Sequence, residues 1–389
     1  MPAAVIRLKQ EEDFRDVVHQ AVQVLAEGGV VAFPTETVYG LAAHALHAQA
    51  VDRLLQAKGR PEGHALALAI KGYAEAWDYV PDLSPLAGRL ARRCWPGPVT
   101  LVVDDRHPES LLNHLPESVF RAVVPEQTVG LRVPAHQLIL EVLQLLAGPL
   151  VLTSANLHGQ PEAVTGEDVL RSLGDRIHLV LDDGPCRYGR ASTVVRVFNS
   201  PPEVKLLREG VVSAGTVRRL ASLIVVFVCT GNTCRSPMAE HLFRHLLAQR
   251  LKCTPEELED RGVLVFSAGV AAATGAPASP EAVETLRQRG MTLEGHEAQQ
   301  INDQLVRHAD LLLTMTQGHR HAVVEHWPEA ASRTFLLCRD QDVADPIGGP
   351  LEAYRRCADQ IQQCLQPWVE QVAREVESLR LPPPASAPQ

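Results

Sequence analysis

Apolar residues along this chain fall into short continuous runs separated by longer stretches with helical periodicity. From residue 223 the order is regular. An apolar run at Leu223–Val228 precedes an amphipathic helical pattern starting at Met238, and a second run at Val263–Phe266 precedes a helix over Ser279–Arg289. A third run at Ala309–Met315 is followed by a long helix over Pro350–Ser378. Short buried runs alternating with helices predict a parallel α/β sheet. Before residue 223, an early helix leads to strand candidates at Val30–Phe33, Val99–Val103 and Ser192–Phe198 with further helices between them. That half also reads as α/β, with no winding order legible. A turn-rich segment from Arg208 to Gly215 and a short polar helix at Thr216–Ser222 separate the two patterns. Domains are therefore expected over 1–212 and 223–379, joined by a linker over 213–222, with an unfolded Pro-rich tail over 380–389.

The length of 389 residues agrees with two domains rather than one. Hydrophobic residues at 46% and charged residues at 21% exclude global disorder. A net charge of −9 argues against a protein that holds bulk nucleic acid or an anionic membrane on a basic surface. Residues 1–222 carry 22 Lys and Arg against 25 Asp and Glu, and 18 of those cations are Arg. The planar guanidinium fork suits phosphate and carboxylate, which points to an anionic ligand in this half. The opening MPAAVIRLKQEEDF has acids where a signal peptide needs positive charge, and no apolar run approaches the roughly 18 residues of a membrane span. The chain reads as soluble and cytoplasmic, with no membrane partner. Its eight cysteines read as reduced thiols rather than a disulfide framework, and none sits in a zinc spacing, so no metal site from protein side chains is expected.

The predicted strand at Leu223 ends in Cys229-Thr230-Gly231-Asn232-Thr233-Cys234-Arg235-Ser236, with Pro237 opening the next helix. Six residues curled over a helix start can turn their N–H groups toward one anion, and the helix dipole adds positive potential. Arg235 can close that cradle with a fork onto two phosphoryl oxygens, while the same field favours a Cys229 thiolate placed for in-line attack. A leaving group opposite the nucleophile needs a proton donor, which Asp345 in the loop Asp345-Pro346-Ile347-Gly348-Gly349 can supply before acting as base toward water.

With these elements the sequence resembles the low-molecular-weight protein phosphatase family over nearly all of 223–377, also matching at Phe266–Val270, Ala278–Leu286 and Ala309–Thr316. The resemblance implies Cys229 as nucleophile, Arg235 as transition-state clamp and Asp345 as general acid, with Asn232 and Ser236 holding the loop. No cofactor is implied, and phosphorylated proteins are the expected substrates. The loop reads GNTCRS and is most similar to bacterial protein-arginine phosphatases, with Thr233 as the discriminating residue where phosphotyrosine enzymes carry Ile. Ile347 departs from the aromatic usual after Asp-Pro. The family uses the neighbour Cys234 for a reversible disulfide that shields the nucleophile.

In the first half, polar clusters end several apolar runs: Phe33–Gly40, Ala57–Pro61, Trp95–Thr100, Gly130–Pro134, Thr153–Asn156 and Ala191–Val195. Lys58 and Arg60 flank one glycine and can reach one polyphosphate, while the hydroxyls of Thr35, Ser154 and Ser192 can hold a small zwitterion or phosphate oxygens. In this order the blocks resemble the threonylcarbamoyl-AMP synthase (YrdC-like) family over about residues 20–212. The resemblance implies an open α/β fold with a concave, positively charged cavity. It also implies a reaction joining L-threonine, bicarbonate and ATP, with Mg2+ on the ATP, for tRNA modification; tRNA or its modification proteins are possible partners. Thr35, Arg132 and Thr153 would bind threonine. Lys58, Arg60, Ser154, Asn156, Ser192 and Arg208 would face ATP. The chain departs from the family at His64-Ala65-Leu66, at Leu157-His158-Gly159 and at Arg196, where Asp is common. A bifunctional enzyme is the leading expectation. The alternative is a phosphotyrosine phosphatase fused to a YrdC-like module that binds nucleotide or RNA without catalysis.

Overall fold

The computed structural model describes residues 2–10, 13–59 and 65–382. Its contacts divide the chain into two compact units, one comprising the residues up to Leu220 together with Pro382 and the other spanning Ala221–Leu381. The dividing point falls inside a helix, Ala214–Ala221, within the segment expected as a linker. Residues 383–389 of the expected tail lie outside the described residues.

The first unit contains strands β1 (Ala4–Arg7), β2 (Val31–Phe33), β3 (Gly40–His44), β4 (Ala67–Ala69), β5 (Val99–Asp104), β6 (Thr128–Arg132), β7 (Leu150–Ser154), β8 (Leu179–Asp182), β9 (Thr193–Asn199) and β10 (Pro202–Arg208). They form one mixed sheet in the order β1-β8-β2-β3-β7-β4-β6-β5-β9-β10. One face packs against the helices Phe14–Ala26 and Gln137–Leu145, which lay Val17, Ala21, Leu25, Leu138 and Val142 onto Phe33, Ala42, Leu152 and Leu181. Asp13 caps the first of these helices by accepting the Arg15 N–H at 2.8 Å. Strand residues alternate between faces, so Thr100 and Val102 of β5 and Thr128, Gly130 and Arg132 of β6 line one cavity together.

The second unit has four parallel strands, β11 (Leu223–Cys229), β12 (Val263–Gly269), β13 (Leu311–Thr314) and β14 (Thr334–Leu336), in the order β12-β11-β13-β14. Every residue of the central strand β11 is buried. Val225, Phe227 and Cys229 enter the core beneath the helices Arg235–Leu251 and Leu351–Ser378, while Ile224, Val226 and Val228 join Val306 and Val323 on the other face. Burial on both faces is why β11 reads as a continuous apolar run. The helix after it begins at Arg235, ahead of the Pro237 that the sequence places at its opening, because the loop itself winds into the first turn. No helix among the described residues is long and apolar enough to cross a membrane.

One reading of the cysteines is overturned. Cys338 and Cys364 form a disulfide across a separation of 26 residues, with Cα atoms 4.9 Å apart, while the other six cysteines are free thiols. The terminal helix brings Cys364 under the segment that follows β14, a tertiary proximity that linear spacing does not encode. The bond ties this segment to the helix beside a second link, from Trp368 Nε1 to the Leu337 carbonyl at 2.8 Å. The denatured, unreduced protein should therefore yield six titratable thiols. Replacing both Cys338 and Cys364 by Ser should lower unfolding stability of this unit by about 3 kcal/mol in denaturant titration. Eight thiols and an unchanged midpoint would contradict the bridge.

Candidate active sites

The Cys229–Ser236 loop joins β11 to the helix Arg235–Leu251, and its carbonyl groups are claimed from outside. Cys229 O accepts from Val270 N at 2.9 Å, Thr230 O from Ala271 N at 2.9 Å, and Thr233 O from Ser279 N at 2.9 Å. Asn232 O lies 2.7 Å from His296 Nε2, which donates to it. A trans peptide sets C=O and N–H on opposite sides, so the N–H groups of Thr230, Gly231, Thr233 and Cys234 turn inward. Asn232 sits at φ 54°, a left-handed position that its short polar side chain tolerates. That side chain donates to Ser236 Oγ and Ser267 Oγ, both at 2.9 Å, and accepts from Gln299 N at 2.9 Å. Gly269 lies directly beneath the loop. A Cβ there would meet Thr230 O at 2.3 Å, so only glycine permits the approach.

Cys229 Sγ is buried at the base of this bowl, 3.0 Å from Ser236 Oγ and 3.2 Å from the Asn232 N–H that donates to it. The Ser236 hydroxyl also lies 3.2 Å from Ala268 O and can give its single proton to only one of the two. Arg235 is buried at the rim and ion-pairs with Asp345 Oδ2, while its Nη1 reaches Val343 O at 3.4 Å and its Nη2 reaches Thr230 Oγ1 at 3.4 Å. The predicted proton donor and the predicted clamp are therefore in direct contact. Thr233 is half-buried, with its hydroxyl 3.6 Å from Cys234 Sγ. Cys234 is buried and near Ser279 Oγ at 3.3 Å, unbonded to Cys229. Ile347 stands 68% exposed, so it offers an open aliphatic wall beside Asp345 where an aromatic would stack. Burial pushes the nearby Cys357 thiol up to about 12, so that cysteine stays protonated.

In the first unit, a cavity of about 670 Å³ gathers Lys58, Arg132, Thr153, Ser154, Asn156, Ser192 and Arg208. Lys58 is the last residue of the helix Ala48–Lys58, which ends because Gly59 takes φ 62°. Its buried ammonium donates to Ser154 O at 2.5 Å, Ser154 Oγ at 2.9 Å and Asn156 Oδ1 at 2.8 Å, fixing two predicted ligands at once. Arg208 donates to Ser192 O at 2.9 Å and to Ser192 Oγ at 3.2 Å. Arg132 is held by Glu36 at 2.7 Å and by Thr37 Oγ1 at 2.8 Å, a buried pair. Thr35 lines an adjacent, smaller cavity and connects to Arg132 through Thr37 Oγ1, 2.9 Å from its own hydroxyl. Arg60 lies outside the described residues. The cavity wall is mixed in charge, since Glu126 and Glu162 line it beside the cations. Arg196, a departure from the family pattern, pairs with Asp104 on the neighbouring strand and stacks over Phe198, so its charge is compensated. Among the described residues no group of three or more His, Cys, Asp and Glu is arranged to hold a metal ion.

Several supporting residues escape a reading from sequence. Glu36 and Thr37 fix Arg132 from 96 and 95 residues away, and Tyr39 ties its strand end to the loop at Asp182–Gly184 through hydroxyl contacts of 3.1 and 2.9 Å. Ser267, His296, Gln299 and His319 surround the Cys229 loop. The polar residues of the matched blocks, Glu36 and Ser267 among them, were the available signal; His296 and Gln299 carry none.

Residues 23–210 match the Sua5/YciO/YrdC family profile, described as telomere recombination, and residues 224–378 match the low molecular weight phosphotyrosine protein phosphatase profile. The chain is similar to the threonylcarbamoyl-AMP synthase of Pyrococcus abyssi, at 38% identity over 191 residues covering 49% of this chain and 53% of that protein. It is 34% identical over 216 residues to the putative threonylcarbamoyl-AMP synthase of Mycobacterium tuberculosis, covering 56% of this chain and 92% of that protein. It is also 38% identical over 156 residues to the protein-arginine-phosphatase of Geobacillus stearothermophilus, covering 39% of this chain and 97% of that protein. It spans about half the length of the Pyrococcus abyssi and Bacillus subtilis synthases it matches. The chain thus belongs to two families, Sua5/YciO/YrdC over its first half and the low molecular weight phosphotyrosine protein phosphatases over its second.

Proposed function

We propose that the chain is a bifunctional enzyme that forms threonylcarbamoyl-AMP for tRNA modification and dephosphorylates phosphoarginine in proteins. The phosphatase reading is carried by one observation: Cys229 Sγ lies beneath inward-turned amides, with Asn232 N at 3.2 Å and with Arg235 touching both the loop and Asp345. In the first step the Cys229 thiolate attacks phosphorus in line, an S–P bond forms and the P–N bond to the guanidine breaks. Asp345 gives its proton to the leaving nitrogen. Water then attacks the cysteinyl phosphate, Asp345 takes its proton, and orthophosphate leaves with Cys229 restored. A phosphoryl group competes with Asp345 for Arg235, so substrate entry releases the carboxyl group toward the leaving atom. The half-buried hydroxyl of Thr233 and the aliphatic Ile347 support an arginine substrate over an aromatic one, as does similarity to a protein-arginine-phosphatase.

The synthase reading rests on the cavity that brings Lys58, Ser154, Asn156, Ser192, Arg208 and Arg132 together. Threonine would enter with its carboxylate on Arg132, whose orientation Glu36 and Thr37 fix. The amine and bicarbonate condense to a carbamate with loss of water. A carbamate oxygen then bonds to the α-phosphorus of ATP as the bond to the β-phosphate oxygen breaks and pyrophosphate leaves. Mg2+ enters on the ATP as part of that substrate. The protein acts by positioning and charge stabilisation, without a covalent intermediate of its own.

The full chain should catalyse threonine-dependent exchange between ATP and pyrophosphate, and Arg208→Ala should slow it about tenfold or more through lost charge-assisted contacts. Absence of exchange in folded protein that still binds ATP would favour a sensor instead. Cys229→Ser should abolish phosphatase turnover while leaving the exchange intact; loss of both activities would contradict independent modules. Thr233→Ile should shift turnover from phosphoarginine toward phosphotyrosine peptides, and an unchanged preference would remove Thr233 from the account.

A further inference from the structure

Beside the Cys229 loop stands a buried histidine that no step above uses. His319 lies in the first turn of the helix Gln317–His326 and is 7% exposed. Its Nε2 is 2.8 Å from Thr230 Oγ1 and its Nδ1 is 2.9 Å from Thr316 Oγ1. Burial, followed by repulsion from Arg235, pushes the ring down to about 4 against the opposing pull of Asp345 and Asp342, so it is neutral and carries one N–H. Thr316 Oγ1 accepts the backbone N–H of His319 at 3.2 Å, and in the arrangement inferred here its hydroxyl proton goes to Nδ1. The ring N–H then resides on Nε2 and points at Thr230.

Thr230 Oγ1 thereby receives two donors, Nε2–H of His319 and Nη2–H of Arg235 at 3.4 Å. A hydroxyl has two lone pairs and one proton. When both lone pairs are engaged in this way, the proton of the exposed Thr230 hydroxyl is left for a bound ligand. We infer that His319 is a positioning residue that holds the Thr230 hydroxyl as a fixed donor to a non-bridging oxygen of the bound phosphoryl group. Thr230 adds a side-chain donor to the ring of loop amides, and its alignment requires no reorganisation when charge develops on that oxygen. The inference rests on the phosphatase reading and adds a specific role within it.

The test uses the full chain with vanadate as oxyanion probe and para-nitrophenyl phosphate as substrate. Thr230→Val and His319→Ala should each weaken vanadate inhibition and lower kcat/KM by about a hundredfold to a thousandfold, the range for losing one oriented donor. The double variant should be no worse than the more impaired single one, because His319 acts through Thr230. His319→Gln, whose Nε2 can replace the ring N–H, should recover most of the loss. Multiplying losses in the double variant, or a Gln variant as impaired as Ala, would overturn the proposal. If His319→Ala does not fold, the exposed Thr230→Val decides alone: unchanged vanadate affinity there overturns it. Failure of the phosphatase reading is separately visible, as wild-type protein whose vanadate binding does not depend on Cys229.

Discussion

The second unit depends on where four carbonyl oxygens go. Cys229, Thr230, Asn232 and Thr233 each give theirs to a donor outside the loop, and peptide planarity then sends the paired N–H groups inward. Nothing in the loop's own residue types enforces this. The donors come from the chain after β12, from the start of the helix Pro280–Arg287 and from His296, so the bowl is a product of the whole unit's packing. Asn232 completes the frame by binding Ser236, Ser267 and Gln299 from a left-handed backbone position. A loop held this way pays its ordering entropy during folding rather than during ligand binding.

The first unit gathers and orients its cations by another route. There the cations sit at strand and helix ends around a wide cavity, and each is oriented by a neighbour rather than by a curled backbone. Lys58 is clasped by Ser154 and Asn156, Arg208 by Ser192, and Arg132 by Glu36 and Thr37. Buried cations without such partners would be costly, so the polar residues beside them stabilise the fold whatever else they do. The swap of Asp for Arg at position 196 follows the same logic, since Asp104 meets the new charge on an adjacent strand.

How much of this was legible depends on the length scale involved. Strands buried on both faces, such as β11, and the 28-residue terminal helix announce themselves in the hydrophobic pattern. The ten-stranded order does not, because β4 spans only three residues and periodicity says nothing of which strands pair. The helix Gln317–His326 escaped notice since only His319 and Val323 are buried on it, too few to form a stripe. The consecutive residues from Cys229 to Ser236 could be read as a site because their chemistry is local. The Cys338–Cys364 bond and the donors from Val270 to Gln299 could not, being matters of tertiary approach and, for several, of backbone N–H groups that every residue carries.

The claim on which the account turns is that Cys229 becomes covalently phosphorylated within this bowl. Acid-quenched reaction of the Asp345→Asn full chain with a phosphoarginine peptide, followed by peptide mass spectrometry, tests it directly. Phosphate is expected on the peptide containing Cys229, formed more slowly without the acid for the leaving nitrogen but retained because hydrolysis of the intermediate lacks its base. An unmodified Cys229 in that experiment, alongside a wild-type chain that turns the peptide over and a Cys229→Ser chain that does so equally well, would contradict it.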